Sequence, residues 1–464
     1  MNKPSRMLQI LKSWSVTDNP FCSTEEILAW IRKKASSSSV RIEKIPYTYE
    51  DGFWYYDSDE LGILNRKKSY FAIKGIHFEN SREVIEQPII VQDGIGYLGI
   101  IAKVIDGVMY FLMQAKVEPG NVNHYQISPT IQATHSNFTR VHGGREPAFF
   151  SYFANSGKYE IIADQIQSEQ SSRFLGKRNR NIILLVEDDL EVPETHRWMT
   201  LGQLKQLMHY DNIVNMDTRS VISCIPFSMR SYSGEEIDMI RPLFRKEAFF
   251  NSMFVSNGSA QIPVIYNYLN DFKMKEKYAR KLIDLKTVSG WAFGRNGFES
   301  EHGSFRIVYC DIEVEDREVR QWSQPLLEAV GRSEFCLIYK IDSNNVIQFL
   351  VQAKSEVGCF DMIEIAPSIQ KEPTDTETGN CVDEIFRKHL KSGEGIEFRG
   401  IFSEEGGRFY HEENWNTLLC IREEELPELP AGYFWLDFHA MNILIQFNNC
   451  LNIQLRNLLS LLDL

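Results

Sequence analysis

No run of about 18 consecutive apolar residues occurs in the 464-residue chain, so no membrane-spanning helix is expected. Met1 to Val16 lack the sustained apolar core of a secretory signal. The eight cysteines form no Cys-x-x-Cys pair and no zinc-ligand spacing, a usage that fits free thiols in a reducing, cytoplasmic compartment. Positive charge is in deficit: 50 Lys and Arg face 63 Asp and Glu, giving a net charge of −13. That balance speaks against a broad polycationic surface for nucleic acid and is read as a device for solubility. No dinucleotide fingerprint is read after any strand, and no Walker loop or histidine pair at metal spacing stands out. A Gly-x-Ser-x-Gly nucleophile elbow is also missing, since the Gly of Asn257-Gly258-Ser259 adjoins the Ser and none follows. Chemistry is therefore expected from side chains and substrate, without metal or redox cofactor.

What the chain does have is a passage written twice. Phe111-Leu-Met-Gln-Ala-Lys116-Val-Glu118-Pro-Gly120 is answered by Phe349-Leu-Val-Gln-Ala-Lys354-Ser-Glu356-Val-Gly358, and Ser128-Pro-Thr-Ile-Gln132 by Ala366-Pro-Ser-Ile-Gln370. Gln114 and Gln352 stand 238 residues apart, about half the chain and far beyond the 20 to 50 residues of a solenoid repeat. The echo keeps its order on both sides. Ser69-Tyr70 answers Ser304-Phe305, Arg82-Glu83-Val84 answers Arg317-Glu318-Val319, and Gln87-Pro88 answers Gln324-Pro325. Trp198 answers Trp435, and Asn215 with Arg219 answers Asn452 with Arg456. A whole domain has been duplicated, and two related pockets are expected.

At 43% hydrophobic and 24% charged residues, each half can bury a core of its own. Ser23-Thr-Glu-Glu26 has capping-box spacing, and Ile27, Leu28, Trp30 and Ile31 supply the apolar face of the helix that follows. A second helix is predicted over Val264 to Lys286, ahead of the second copy. Between them lie β-rich runs, Tyr70–Ile73, Ile89–Val91, Tyr97–Val104 and Val108–Met113, with Asp106-Gly107 as a hairpin signal. Phe335–Ile341 and Val346–Val351 repeat that hairpin around Asp342-Ser-Asn-Asn345. Helical character returns at Leu201–Met208 and Leu436–Ile445. The class read from this is α+β: residues 1–230 form the first mixed-sheet repeat, 231–262 a connection, and 263–464 the second repeat.

The densest polar cluster runs from His135 to Arg145. Two Gly permit close backbone approach and two Arg offer planar donors suited to phosphate oxygens, although an exposed loop has the same composition. Lys116 and Glu118 end a predicted strand, where residues often face a ligand; a surface ion pair is the alternative. Arg219 has a counterpart in Arg456, but Asp217 is replaced by Gln454, which makes Asp217 the more site-like of the two.

Gln114-Ala-Lys-Val-Glu-Pro-Gly-Asn-Val-Asn123, Ser128 through Gly144, Val214-Asn-Met-Asp-Thr-Arg219 and Arg317-Glu-Val-Arg-Gln-Trp-Ser-Gln-Pro325 resemble the NDP-hexose 2,3-dehydratases, from about Leu28 to the C-terminus. The resemblance implies two Nudix-like domains in tandem, a homodimer, and one active pocket beside a remnant. It implies a lyase that removes water across C2 and C3 of dTDP-4-keto-6-deoxyglucose, with a 3-ketoreductase taking the product. The metal-binding Nudix box is missing, so diphosphate hydrolysis is disfavoured; a catalytically silent nucleotide-sugar binder is the other class of function. The second copy has Val357 and Cys359 in place of Pro119 and Asn121, and no clear match to the His135–Arg145 loop, which places the active pocket in the first copy. Under this resemblance His135, Tyr125 and His142 are the acid–base candidates, with Glu118 or Asp217 as a carboxylate base. Arg140, Arg145, Lys116 and Arg219 would hold the diphosphate or polarise the ketone. Phe138, Trp54 or Tyr55 would stack on thymine. Gln132, Thr134, Asn137, Thr139, Gly143, Gly144 and Asn215 complete the expected contacts.

Overall fold

Asp106 and Gly107 both adopt positive φ, 51° and 78°. A two-residue turn of this mirror-image kind matches the twist of the strands it joins, and Gly96–Ile105 folds back on Val108–Val117. A computed structural model describes residues 5–47, 53–68, 70–81, 83–139, 146–228, 232–295, 297–315, 319–375 and 379–464. In it this hairpin is the centre of a seven-stranded sheet. The order is Glu160–Ser168, Arg178–Leu185, Gly96–Ile105, Val108–Val117, His196–Met199, with Ile131–Ala133 and Tyr125–Ser128 paired to the two hairpin strands. The second half repeats it: Ile396–Ser403, Glu413–Cys420, Glu334–Ile341, Ile347–Lys354, Tyr433–Asp437. Each sheet has its one parallel pairing at the same place, between the second and third strands of that order. The molecule is a duplicated mixed-sheet α+β protein.

Each half also carries a helix whose start is set by an asparagine. The Asn215 side chain accepts from Thr218 N at the head of Met216–Ser223, and Asn452 accepts from Leu455 N at the head of Ile453–Ser460. Such a cap satisfies a backbone donor that the helix itself cannot. The two helices pack against each other, and their Val221 and Leu455 sit in one apolar cluster with Phe111 and Phe349 of the two large sheets. The core is thus shared rather than split between halves.

The smaller sheets show the same interdependence. Val40–Ile45, from the first half, pairs antiparallel with Phe305–Val314 of the second. Ala279–Ile283, from the second half, pairs with Ala72–Glu79 of the first. This exchange corrects the helix expected over Val264–Lys286. The helix is Gln261–Lys275, and the chain beyond it is extended because it completes the other half's sheet. The helix expected at Leu436–Ile445 likewise begins only at Phe438, since Tyr433–Asp437 is an edge strand whose Asp437 caps the helix by accepting from Ala440 N. Tyr232–Gln261 carries the helices Gly234–Ile240 and Glu247–Phe250, whose Ile240, Phe249 and Phe250 are buried in the shared core. The capping box at Ser23 and Glu26 forms as predicted, heading Thr24–Ser37.

Two loops then lock the halves together. Gly120 N donates to Gly406 O at 2.8 Å and His411 N donates to Gly120 O at 2.7 Å. In the matching place Gly358 N donates to Ser171 O and Gly176 N to Gly358 O, both at 2.8 Å. A Cβ on Gly120 would lie 1.8 Å from Phe409 O and 2.5 Å from Gly406 O, and a Cβ on Gly358 would lie 1.9 Å from Phe174 O. These neighbours are backbone and cannot rotate away. Gly120→Ala is therefore expected to destabilise the protein by about 3 kcal/mol, the upper end of the usual cost of overpacking. Urea unfolding would register this as a lower midpoint, and an unchanged midpoint would show that the junction yields.

Candidate active site

Because the loops cross over, the first half's pocket is built from both halves. A cavity of about 450 Å³ opens beside the end of Val108–Val117. Its first-half wall includes Lys116, Glu118, Gln132, Glu169, Lys177 and Asp217; the second half supplies Trp322, Gln324, Glu405 and Arg408. Phe53, Trp54 and Tyr70 add an aromatic side.

Glu118 is the most firmly held of the carboxylates. Its Oε1 accepts from Lys116 Nζ at 2.5 Å and Gln132 Nε2 at 2.8 Å, and its Oε2 accepts from Gly406 N at 3.0 Å. Asn215, the helix cap, reaches back to donate to Gln132 Oε1 at 3.0 Å, so the cap and the site are one network. Glu169 accepts from Asn179, while its Oε2 is buried without a hydrogen-bond partner. Asp217 is 3% exposed, lies in the first turn of Met216–Ser223, and its Oδ1 is also buried without a partner. Buried polar atoms left unmatched are costly, and these two are open to a partner from the cavity. Opposite charges stand close by. Lys177 Nζ donates to Gly94 O at 2.7 Å, and the Arg408 guanidinium lies 4.3 Å above the Phe71 ring with Nε on Gln92 Oε1 at 3.1 Å.

Burial governs how these groups titrate. It raises Glu169 to about 7, with the charge of Glu405 adding to the effect. Asp217 is pushed well above the ordinary carboxylate range by burial and then by Glu169, Glu405 and Glu118, which together outweigh the opposing charge of Lys116. Burial also raises Glu405 and lowers Lys177. Groups tuned toward neutrality in one cavity are what acid–base catalysis requires.

The structure brings some of the expected residues together and leaves others apart. Lys116, Glu118, Gln132, Thr134, Asn137, Asp217 and Trp54 line the cavity. Tyr125 does not: it is 3% exposed on its strand, packed in the hydrophobic core. His135 is exposed, with its ring 5.1 Å from Phe138, which itself stacks on Phe150; neither lines the cavity. Thr139 Oγ1 donates to His135 O at 2.6 Å, closing that short helix, and Tyr55 also lies off the cavity wall. Arg219 is buried and donates to Ser403 O of the second half at 3.3 Å, as Arg456 does to Ser168 O at 2.6 Å, a joint between halves in both copies. Arg140, His142, Gly143, Gly144 and Arg145 lie outside the described residues.

Glu169, Lys177, Glu405 and Arg408 were not among the residues expected. A signal for two of them existed: Ser168-Glu169-x-x-x-Arg173-Phe174 is repeated as Ser403-Glu404-x-x-x-Arg408-Phe409. The segment Gly94-Ile-Gly96-Tyr-Leu-Gly99 does have the Gly-x-Gly-x-x-Gly spacing behind a strand, contrary to the reading above. It leads into the strand Gly96–Ile105 and not into a helix, so it offers no helix terminus for a pyrophosphate.

A carboxyl that keeps its proton in the folded state contributes stability that is full below the unfolded value and is lost as pH rises through the folded one. Glu169 and Glu364, both raised from 4.5 to about 7 by burial, place that loss between pH 4.5 and 7. Buried Lys205, lowered from 10.5 to about 7, acts with the opposite sign only above that window, while His124, His196 and His411, lowered from 6.5 by burial, oppose the fall within it and are outnumbered by the buried carboxyl groups. The thermal midpoint of the ligand-free protein should fall from pH 5 to pH 7, and Glu169→Gln should flatten the fall. A midpoint that stays level across that range in the unmodified protein would contradict the assignment.

Comparison with known proteins places this site in a lineage. The family model for NDP-hexose 2,3-dehydratase matches residues 24–225 and again residues 263–462. A protein of Saccharopolyspora spinosa named dTDP-4-dehydro-6-deoxy-alpha-D-glucopyranose 2,3-dehydratase is 32% identical over 452 residues, covering 95% of this chain and 92% of its own length. Proteins of the same name from Amycolatopsis orientalis and Streptomyces violaceoruber are each 33% identical; they cover 98% and 93% of this chain, and 93% and 95% of their own lengths. With both halves matched and the cavity built between them, the chain belongs to the NDP-hexose 2,3-dehydratase family.

Proposed function

We propose that the protein removes water across C2 and C3 of dTDP-4-keto-6-deoxyglucose, giving a dTDP-3,4-diketo-2,6-dideoxyhexose. The observation that supports this best is the single cavity in which buried carboxylates with raised affinity for protons face Lys116, Lys177 and Arg408. The C4 ketone acidifies the C3 proton, so the reaction needs a base at C3, cations or donors at the developing enolate oxygen, and an acid at the C2 oxygen. Asp217, whose affinity for a proton burial raises well above that of an ordinary carboxylate, is suited to donate to the departing C2 hydroxyl. Lys116 and Lys177 are suited to the enolate oxygen, and Arg408 to the diphosphate, for which its planar donors are shaped. Phe53, Tyr70 and Trp322 offer aromatic faces for the thymine. His135, Arg140, His142 and Arg145 stay in this reading as groups that would act on the substrate from the neighbouring loop. Repeat boundaries at 1–230 and 263–464, a Nudix-like ancestry for each repeat, a homodimer, a cytoplasmic location and hand-over to a ketoreductase belong to the same reading. Among the described residues no helix is long and apolar enough to cross a membrane.

Incubation of purified protein with dTDP-4-keto-6-deoxyglucose, without added metal or nicotinamide, should give a product lighter by one water. Asp217→Asn should lower kcat by about 10²–10⁴-fold, the usual contribution of a positioned acid or base. Unchanged substrate that nonetheless binds would point to a silent binder, and release of dTMP to a hydrolase.

A further inference from the structure

The two halves are copies of one another, so each side chain of the first half's cavity can be compared with its counterpart at the matching place in the second. Lys116, Glu118, Gln132 and Asn215 recur as Lys354, Glu356, Gln370 and Asn452, and both copies keep the Asn–Gln–Glu hydrogen bonds. Glu169 recurs as Glu404, each bonded to an Asn at the same place, Asn179 or Asn414. Arg408 over Phe71 recurs as Arg173 over Phe305, since the strand registers match Phe71, and not Tyr70, to Phe305. These groups are common to both copies. Asp217 and Glu405 do not recur: their counterparts are Gln454 and Gln170. Lys177 faces the first cavity where the second copy has Glu412.

Glu405 is the unusual one, because it comes from the second half. It sits on the loop between Ile396–Ser403 and Glu413–Cys420, which enters the first half's cavity. The loop is fixed there: Gly406 N donates to Glu118 Oε2, Gly406 O accepts from Gly120 N, and Gly407 O accepts from Gln324 Nε2 at 2.9 Å. Glu405 is thereby held in place by its backbone. Its carboxylate accepts no hydrogen bond among the described residues, whereas three donors occupy Glu118 and Asn179 occupies Glu169. Burial raises its affinity for a proton, and the charges of Arg408, Lys116 and Lys177 act against that rise. A carboxylate carried on a fixed backbone and free of donors has its lone pairs available to take a proton.

We infer that Glu405, delivered by the second half, is the base that takes the C3 proton of the substrate. The inference rests on the dehydratase reading above. The C3–H bond breaks, its proton passes to the Glu405 carboxylate, and its electron pair becomes the C3–C4 double bond of the enolate as the C4 oxygen takes the negative charge. The enolate then re-forms the C4 carbonyl, a C2–C3 double bond forms, and the C2–O bond breaks. The departing oxygen takes a proton from Asp217 and leaves as water. The resulting C3 enol accepts a proton at C2 and loses one from oxygen, giving the 3,4-diketone. One proton is gained by Glu405 and one is lost by Asp217, so the site returns to its starting state by a single transfer through solvent.

The two carboxyl groups can be separated in deuterated water with dTDP-4-keto-6-deoxyglucose as the probe. Asp217→Asn should slow loss of water while still exchanging the C3 proton for deuterium. Glu405→Gln should abolish both, by at least about 100-fold, while dTDP binds within about threefold of the unmodified affinity. Gln is tolerated at the matching position of the twin loop, Gln170, and the retained dTDP affinity verifies folding. Glu405→Asp, which keeps the carboxylate on a shorter arm, should recover part of the exchange. Exchange at C3 persisting at the normal rate in Glu405→Gln would overturn the inference, even with the dehydratase reading intact. Failure of the unmodified protein to release water would instead overturn that reading, and this inference with it.

Discussion

Everything at the candidate site depends on a backbone contact with no room for a side chain. Gly120 meets the Gly406–Phe409 turn of the other half, and Gly358 meets the Ser171–Phe174 turn, so each half closes the other's pocket with a loop. Backbone-to-backbone contact at this distance cannot adjust by rotamer change, which fixes Gly406 against Glu118 and Glu405 within the first cavity. The exchange of Val40–Ile45 and Ala279–Ile283 into sheets of the opposite half reinforces it. A shared apolar core spanning both large sheets then makes separation of the halves costly, since it would expose buried faces of each.

Duplication normally leaves two sites; here the same loops serve two different environments. In the second copy Arg173 is neutralised by Glu372 at 2.7 Å, where the first copy has Thr134 on the cavity wall, and Arg408 has the neutral Gln92 as its side-chain partner. Glu412 replaces Lys177, so the two places differ in charge. Such changes leave the hydrogen-bonded frame of Asn, Gln and Glu untouched in both. The frame holds the fold, and the few unmatched residues distinguish the pockets.

Much of the fold was legible because its signals are local. The Asp106-Gly107 turn with its hairpin and the Ser23–Glu26 capping box with its helix needed only neighbouring residues, and both formed. The duplication was legible because its motifs are long. Ala279–Ile283 was misread as helix because its strand character comes from a partner about 200 residues away, which no local propensity records. At the site, Lys116, Glu118, Gln132 and Asp217 lay on quoted motifs, and they do line the cavity. Glu405 and Arg408 belong to the other half, and only the three-dimensional crossing brings them in. Tyr125 shows the converse: a residue two places past the Asn123 end of a motif can still point into the core, because alternate residues of a strand face opposite ways.

The central claim is that the working pocket is made by both halves. Its most direct test is to produce residues 1–230 and 231–464 as separate chains and assay each, and then the two refolded together, for loss of water from dTDP-4-keto-6-deoxyglucose. The account predicts no turnover by either piece alone and recovered turnover by the pair. Dehydration by residues 1–230 in isolation would contradict it.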